Sequence, residues 1–465
     1  MIKVSFAALS ELLSAKEVNP PSAELEVDKV TTDSRTDCCG SVFFALRGES
    51  FDAHRFLAQV SQQGAKILVV EQADPAVSVP QLVVADTKKA LGQLALWGRQ
   101  QVNPKVAAMT GSSGKTTVKE MTAAILQQTA KNTDEVLFTA GNFNNDIGVP
   151  LTLLRLTDQH RFAVIELGAN HAGEIAYTTQ LARPDVALVN NVAPAHLAGF
   201  GSLQGVAKAK GEIYQGLTEN GIAVINQDCN YLPMWQQNIA QHPIKRFSLT
   251  HSEADIYARA IQHTNIGFSF VLCTPQGEIE IELPYLGLHN VSNALAAASL
   301  AIALGATLDD VKKGLALGKR VKGRLFPVEV NSQLTLLDDT YNANVDSLKA
   351  AISVLHSAPQ QVKVLVVGDM AELGESTEQC HQQVAEAALN ANLDQVMSFG
   401  QYSRVISQTC GGKHYQDKAA ELIADLQQYA AQQMKAGKTI LILVKGSRSM
   451  KMEQVIDSFK GFEQC

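Results

Sequence analysis

An excess of positive charge is missing from this chain: 39 Lys and Arg face 46 Asp and Glu, for a net charge of -7. That balance argues against a general role on nucleic acid or an anionic membrane, and leaves room for local basic sites. Long hydrophobic runs are missing too. The longest, around residues 294–304, is well short of the ~20 apolar residues a membrane helix needs, and the stretch Met1-Ile-Lys-Val-Ser-Phe has no cationic segment leading into an apolar one. The expectation is a cytoplasmic protein, neither exported nor inserted in a membrane. The seven cysteines follow no metal-ligating or framework spacing, and the adjacent Cys38 and Cys39 suit neither, in keeping with a reducing compartment. No internal repeat or low-complexity tract is visible.

The 465 residues, 46% of them hydrophobic, exceed what one core of ordinary size holds together, so two or three domains are expected. Residues 1–84 carry short apolar strands at 42–46, 67–70 and 82–84 and read as a small N-terminal α/β domain. A helical pattern from Thr87 to Gln101 stops at Asn103-Pro104, where proline disfavours helix in the residue before it. From Val106 buried strands alternate with helices, at 106–109, 163–167, 186–190 and 222–226, as in a central parallel-sheet ATPase-like domain spanning 85–320. Residues 255–285 turn strand-rich, with the alternation of an antiparallel excursion, and a small-residue helix follows at 291–304. Residues 321–465, with strands at 334–337, 364–367 and 440–444 and a helix at 378–389, read as a C-terminal Rossmann-like α/β domain.

The strongest local signal is Thr110-Gly111-Ser112-Ser113-Gly114-Lys115-Thr116-Thr117, between the strand at 106–109 and a helix expected to start near Val118. Backbone N–H groups of such a loop converge on phosphate oxygens, Lys115 adds a point charge for the β and γ phosphates, and the Thr116 hydroxyl suits magnesium. Met109 stands where the longer phosphate-loop pattern has glycine. The loop by itself fits kinases, GTPase switches, motor ATPases and ligases alike. No Asn-Lys-x-Asp guanine signature is present; Asn226-Gln227-Asp228 lacks the lysine.

Further strings run in order: Gly141-Asn-Phe-Asn-Asn-Asp-Ile-Gly, Glu166-Leu-Gly-Ala-Asn170, Asn191-Val-Ala-Pro-Ala-His196, Ala207-Lys-Ala-Lys-Gly-Glu212, Gly287-Leu-His-Asn-Val-Ser-Asn293, Lys322-Gly-Arg324, Asp338-Asp-Thr-Tyr-Asn-Ala-Asn344, Gly368-Asp-Met-Ala-Glu-Leu-Gly374 and Lys445-Gly-Ser-Arg448. With the short loop Gly-x-x-Gly-Lys-Thr, they resemble the Mur ligase family over essentially the whole chain. One departure is Val345, where the family pattern has proline.

The resemblance implies an ATP- and magnesium-dependent amide ligase that activates a carboxylate as an acyl phosphate. The partners it implies are UDP-N-acetylmuramoyl-tripeptide and D-alanyl-D-alanine, joined by a monomer for cell-wall synthesis. It assigns Gly111, Ser112, Ser113, Gly114, Lys115, Thr116 and Thr117 to ATP, with Asn290 and Asn293 toward the adenine edge. Arg324 and Asp339 would reach the γ phosphate and the ribose when the domains close, with Asp338 as the neighbouring rival for the acidic role. Magnesium would engage Thr116 and Glu166, with His196 at a second ion. Lys210, better aligned than Lys208, would join the metal site if carbamylated. On the substrate side stand Asn142, Asn144 and Asn145 for the muramoyl peptide and Ser34 and Arg35 for the uridine diphosphate. Tyr341, Asn342 and Asn344 would border the dipeptide pocket or the adenine side, and Lys445 and Arg448 would neutralise a substrate carboxylate. Each has a plain alternative: a solvated lysine, a helix cap, or in the case of Arg35 a surface ion pair. Rivals to the whole reading are a ligase of the same family adding a single amino acid, a folate polyglutamylating enzyme, and an ATP-hydrolysing switch or assembly module.

Overall fold

The computed structural model describes residues 1–48, 51–229, 231–239 and 241–462. Besides a two-stranded antiparallel pair, Val4–Ser5 with Glu26–Val27, three larger sheets follow one another along the chain. The first has five strands in the order Lys16–Val18, Gln81–Val83, Ile67–Val70, Val42–Phe44 and Val30–Thr31, all parallel except Lys16–Val18. The helix Thr87–Val102 leaves it, its start fixed by Asp86, whose carboxylate accepts the Lys89 N–H at 2.9 Å, and its end by Asn103 in the left-handed conformation. Leu91 and Leu94 of this helix share one apolar cluster with Val42 and Phe44 on one side and Val106 and Ile165 on the other. The first sheet is thus packed to the second through a common core.

The second sheet has nine strands: Gly277–Leu283, Phe268–Thr274, Ile256–His263, Ile244–Ser248, Ile222–Asn226, Val186–Val189, Lys105–Thr110, Phe162–Glu166 and Val136–Phe138. Its central strands are continuous apolar runs because helices cover both faces. Successive residues of Lys105–Thr110 go to opposite cores, Val106 and Ala108 to one, Ala107 and Met109 to the other. The segment at 255–285 is the expected antiparallel excursion, two hairpin-linked strands added beyond Ile256–His263. The helix after the glycine loop begins at Lys115, three residues earlier than the sequence suggested, because Gly114 itself takes the left-handed cap position.

The third sheet runs Phe326–Glu329, Leu334–Asp339, Ile440–Lys445, Val362–Gly368, Gln395–Phe399 and Lys413–Tyr415, parallel but for the first pair. Val345, in the place of the family's proline, is the first residue of the helix Val345–Ser357. Proline is favoured there because that position's N–H needs no partner; valine meets the same requirement, and a reciprocal capping box between Asn344 and Ser347 holds the start. No helix of the described residues is long and apolar enough to cross a membrane.

Candidate active site at the meeting of the second and third sheets

The carboxyl ends of parallel strands from both sheets face one cleft, the position where open α/β sheets gather ligands. From the second sheet come the glycine loop after Lys105–Thr110, Glu166 at the end of Phe162–Glu166, and Asn190 after Val186–Val189. The third contributes Asp339 and Lys445, the last residues of Leu334–Asp339 and Ile440–Lys445.

The loop is braced by the chain beside it. Ser112 donates its N–H to the Asn191 carbonyl at 3.1 Å, and its hydroxyl exchanges bonds with the Ala193 backbone at 3.0 and 2.9 Å. The Asn191 amide clasps Ser113 from both sides, accepting its N–H at 2.9 Å and donating to its carbonyl at 3.1 Å. Gly114 has φ +76°, and a Cβ there would lie 2.5 Å from Asn293 Oδ1 and 2.7 Å from Asn190 Nδ2. Only glycine satisfies both demands.

Lys115 is folded back, donating to the Gly111 carbonyl at 2.6 Å. Burial lowers its pKa, against the pull of Glu166 and with a further push from Arg324. Glu166 is buried; one carboxylate oxygen accepts from the Asn144 amide at 2.8 Å, while Oε2 has no partner. A buried, unpaired carboxylate oxygen beside a phosphate loop and the Thr116 hydroxyl fits a magnesium ion, which is usually held by one or two carboxylates together with substrate phosphates and water. No cluster of three acidic, His or Cys residues that could hold a metal occurs among the described residues.

The third sheet reaches over. The Arg324 guanidinium lies 3.4 Å from the Thr116 hydroxyl and 4.4 Å above the Tyr341 ring, and Asn344 donates to the Ser112 carbonyl at 3.3 Å. Asp339 and Lys445 form a buried ion pair at 2.7 Å; Lys445 also donates to the Asn342 carbonyl and Asp339 accepts the Leu325 N–H. Burial pushes the Asp339 carboxyl up and the Lys445 ammonium down. Asp338, the rival, caps its own turn through Thr340.

Two cavities flank the loop. One of about 270 Å³ lies between Gly114, Asn290, Asn293, Arg324, Asp339 and Lys445. An amide chain lines it: Asn290 donates to the Leu286 carbonyl, Asn293 to Asn290, and Asn190 to Asn293, at 2.7, 2.9 and 3.0 Å. Asn190 Oδ1 is left buried without a partner. The second, about 200 Å³, lies on the other side, between Ser112, His196, Asn342, Asn344, Glu372 and Arg448. Lys445 and Arg448, read together from sequence as neutralising one substrate carboxylate, thus line different cavities.

His196 has φ +53°, and its Nδ1 lies against the carboxylate of Glu372, in the loop that follows the strand Val362–Gly368. Burial keeps the imidazole pKa below its usual value, and Glu372 offsets only part of this. Lys210 is 2% exposed, whereas Lys208 is exposed. Burial, then the nearby Lys115, drive the Lys210 pKa well below that of an ordinary lysine.

Other expected residues stand outside the cavities. Asn144 holds Glu166, the Asn145 side chain caps the next helix through Gly148, and Asn142 is exposed on the same loop. Ser34 is buried, and Arg35 is engaged with Asp33 at 2.7 Å on the surface of the first sheet's domain, so neither lines either cavity. Sequence reasoning gave no role to Asn190, His289, Asp346 and Ser347, which line the larger cavity, or to Glu372 in the smaller. Asn190, next to the quoted Asn191 string and at a parallel strand's carboxyl end, was the one with a usable signal.

Glycine loop, unpaired glutamate and a third-domain arginine closing over the loop define a ligase of the type the sequence resembled, and comparison with known proteins agrees. Family models match residues 26–97 (Mur ligase family, catalytic domain), 109–301 (Mur ligase middle domain) and 323–448 (Mur ligase, glutamate ligase domain). The chain belongs to the Mur ligase family. It is 56% identical, over 100% of both chains, to the UDP-N-acetylmuramoyl-tripeptide--D-alanyl-D-alanine ligase of Haemophilus influenzae. A crystal structure of MurF from Acinetobacter baumannii superposes with a TM-score of 0.90, at 38% identity over 97% of each chain. MurF ligase from Thermotoga maritima in complex with ADP superposes at 0.82, with 27% identity over 93% of this chain and 97% of that one.

Proposed function

We propose that the chain joins D-alanyl-D-alanine to UDP-N-acetylmuramoyl-tripeptide at the expense of ATP, giving the UDP-N-acetylmuramoyl-pentapeptide used for peptidoglycan. The observation that carries this reading is the arrangement of two cavities on opposite sides of one phosphate loop. ATP fills the larger, whose wall carries the amides of Asn290 and Asn293 for the adenine edge, and Arg324 lies over the loop toward the γ phosphate. The smaller receives the dipeptide. The terminal carboxylate of the tripeptide attacks the γ phosphorus and ADP leaves; the dipeptide's ammonium gives up a proton to solvent, and the free amine attacks the acyl carbon, expelling phosphate and losing a second proton as the amide forms.

What the protein supplies is charge and position: negative groups meet only where cations are already in place. Lys115, released from the Gly111 carbonyl, and Arg324 provide two. Thr116 and Glu166 would hold magnesium, with His196 toward a second ion, and the ion's chemistry is to screen the phosphates during transfer. Burial and the nearby Lys115 push the Lys210 pKa well below that of an ordinary lysine and so favour the neutral amine, the form that combines with carbon dioxide; as a carbamate it would offer oxygen in place of positive charge. Residues 1–84, with Ser34 and Arg35, would anchor the uridine diphosphate, residues 85–320 the ATP, and residues 321–465 the dipeptide and the closing contacts. Asn142, Asn144 and Asn145 would face the muramoyl peptide. We place the protein in the cytoplasm as a monomer.

The test is mass spectrometry of the products formed from ATP, magnesium, muramoyl tripeptide and the dipeptide, with diaminopimelate and glutamate as alternative amines. A pentapeptide formed only with the dipeptide is expected. ATP hydrolysis with no amine dependence would overturn the reading in favour of a switch or assembly ATPase.

A further inference from the structure

The smaller cavity has a polarity that the known parts of the site do not explain. Among the described residues lining it, Glu372 is the sole carboxylate and Arg448 the sole permanent cation; the walls between them include Ala343 and Ala371, and Ser112 and His196 lie toward the phosphate loop. A space with one anion, one cation and small apolar walls is complementary to a short zwitterionic peptide with small side chains.

Glu372 is also held in place with unusual thoroughness. Its φ is +62°, a left-handed conformation that is unfavourable for a non-glycine residue and persists only where the surroundings enforce it. Those surroundings are specific. The Met370 N–H donates to His381 Nε2 at 3.0 Å, the Ala371 N–H to the Ser447 hydroxyl at 2.7 Å, and the Ser447 N–H to the Asp369 carbonyl at 3.0 Å. The Asp369 carboxylate takes three N–H groups, from Gln401, Tyr402 and Ser403, at 2.7–2.9 Å. Glu372's own carbonyl accepts the Ala198 N–H across the cleft at 3.2 Å. Its carboxylate thereby projects beside His196, at the mouth of the phosphate loop, with more than half of the side chain still open to an incoming group.

We propose that Glu372 is a specificity-determining residue that receives the α-ammonium of the incoming dipeptide, while Arg448 takes its carboxylate. The inference rests on the ligase reading above and deepens it: the dipeptide is recognised by its charge at both ends, and the anionic end of the cavity lies at the side where its nitrogen must meet the acyl group. His196 gives up the carboxylate when the ammonium arrives.

The test is steady-state kinetics of the full chain carrying Glu372→Gln, which keeps the shape and removes the charge. KM for the dipeptide rises at least tenfold while KM for ATP and for muramoyl tripeptide stays within twofold, and Glu372→Asp recovers part of the loss. A second readout uses the hydroxy analogue of the dipeptide, with the amine replaced by hydroxyl, as a competitive inhibitor. The parent enzyme binds it at least tenfold more weakly than the dipeptide; the Gln variant binds both about equally. Equal rises in all three KM values, or undiminished discrimination against the hydroxy analogue, would show Glu372 to be a closing contact onto His196 and overturn the proposal. Ligation by the parent enzyme is the control: its absence defeats the ligase reading itself, whereas normal ligation with an unaltered Gln variant defeats only this inference.

Discussion

Replacing Asp339 with asparagine removes the only negative charge among the described residues that is hydrogen-bonded to Lys445, which is buried with 3% of its side chain exposed and would then share the region with Arg324 unopposed. Breaking one partner of a buried pair strands the other charge in a poorly polarisable interior, typically at a cost of about 3–5 kcal/mol. Asp339 also accepts the Leu325 N–H, and an asparagine oxygen retains that bond, so the loss is electrostatic rather than steric. Burial works against both charges, raising the Asp339 carboxyl and lowering the Lys445 ammonium, and buried pairs of this kind are often replaceable by apolar groups at little cost. Asp339→Asn with Lys445→Met therefore recovers most of the loss, to within about 1–2 kcal/mol of the parent. Hydrogen exchange of the strand Ile440–Lys445 reads this directly, since 1.4 kcal/mol is tenfold. The single variant exchanges roughly a hundredfold to a few thousandfold faster and the double variant much less so. Exchange within threefold of the parent in the single variant would refute the reasoning.

Lys115→Ala lowers amine-dependent ADP release by at least about a hundredfold, as expected for loss of a cation aimed at the transferring group, and near-parental turnover would exclude the loop from the chemistry. Gly114→Ala forces a side chain into a left-handed turn 2.5 Å from Asn293 Oδ1, so nucleotide affinity measured by calorimetry falls at least tenfold, while unaltered affinity would mean the amide chain yields freely. His289, partly buried at the wall of the larger cavity, has its pKa lowered to about 4 by burial and secondarily by Lys445. The unfolded chain takes up this proton near pH 6.5, before the folded one, so stability is complete above pH 6.5 and falls toward pH 4, by up to about 3 kcal/mol. In denaturant titrations across that window His289→Gln shows a shallower decline, and an identical slope would place the acid sensitivity elsewhere.

The parts of the site that lie on one continuous stretch of chain were legible in the sequence. Glycine loop, preceding strand and following helix are local, and the apolar runs at 163–167, 186–190 and 222–226 appear as strands within a residue at each end because helices bury both faces. Less visible were Val136–Phe138 at a sheet edge and Ile244–Ser248, whose alternation of exposed and buried residues is too short to stand out. Asn290 and Asn293 could be placed near the nucleotide, but not the relay that occupies their amides and leaves Asn190 with a free oxygen. Glu372 stood within a family string without a role, because what gives it one is His196, brought opposite by the packing of two separate sheets. Lys445 and Arg448, three positions apart, part company because the chain turns at the end of its strand. Contacts of this sort depend on how domains dock, and no local pattern records that.

The clasp of residues 191–193 on the serines of the glycine loop has one more outcome. A loop already shaped by its neighbour has little freedom left to surrender when nucleotide arrives, so that part of the entropic toll is met during folding rather than at binding. Grip on the triphosphate is then governed in part by a segment that need never touch it, and this segment leads directly into His196. Movement there, as a dipeptide enters, has a four-residue path back to the phosphates.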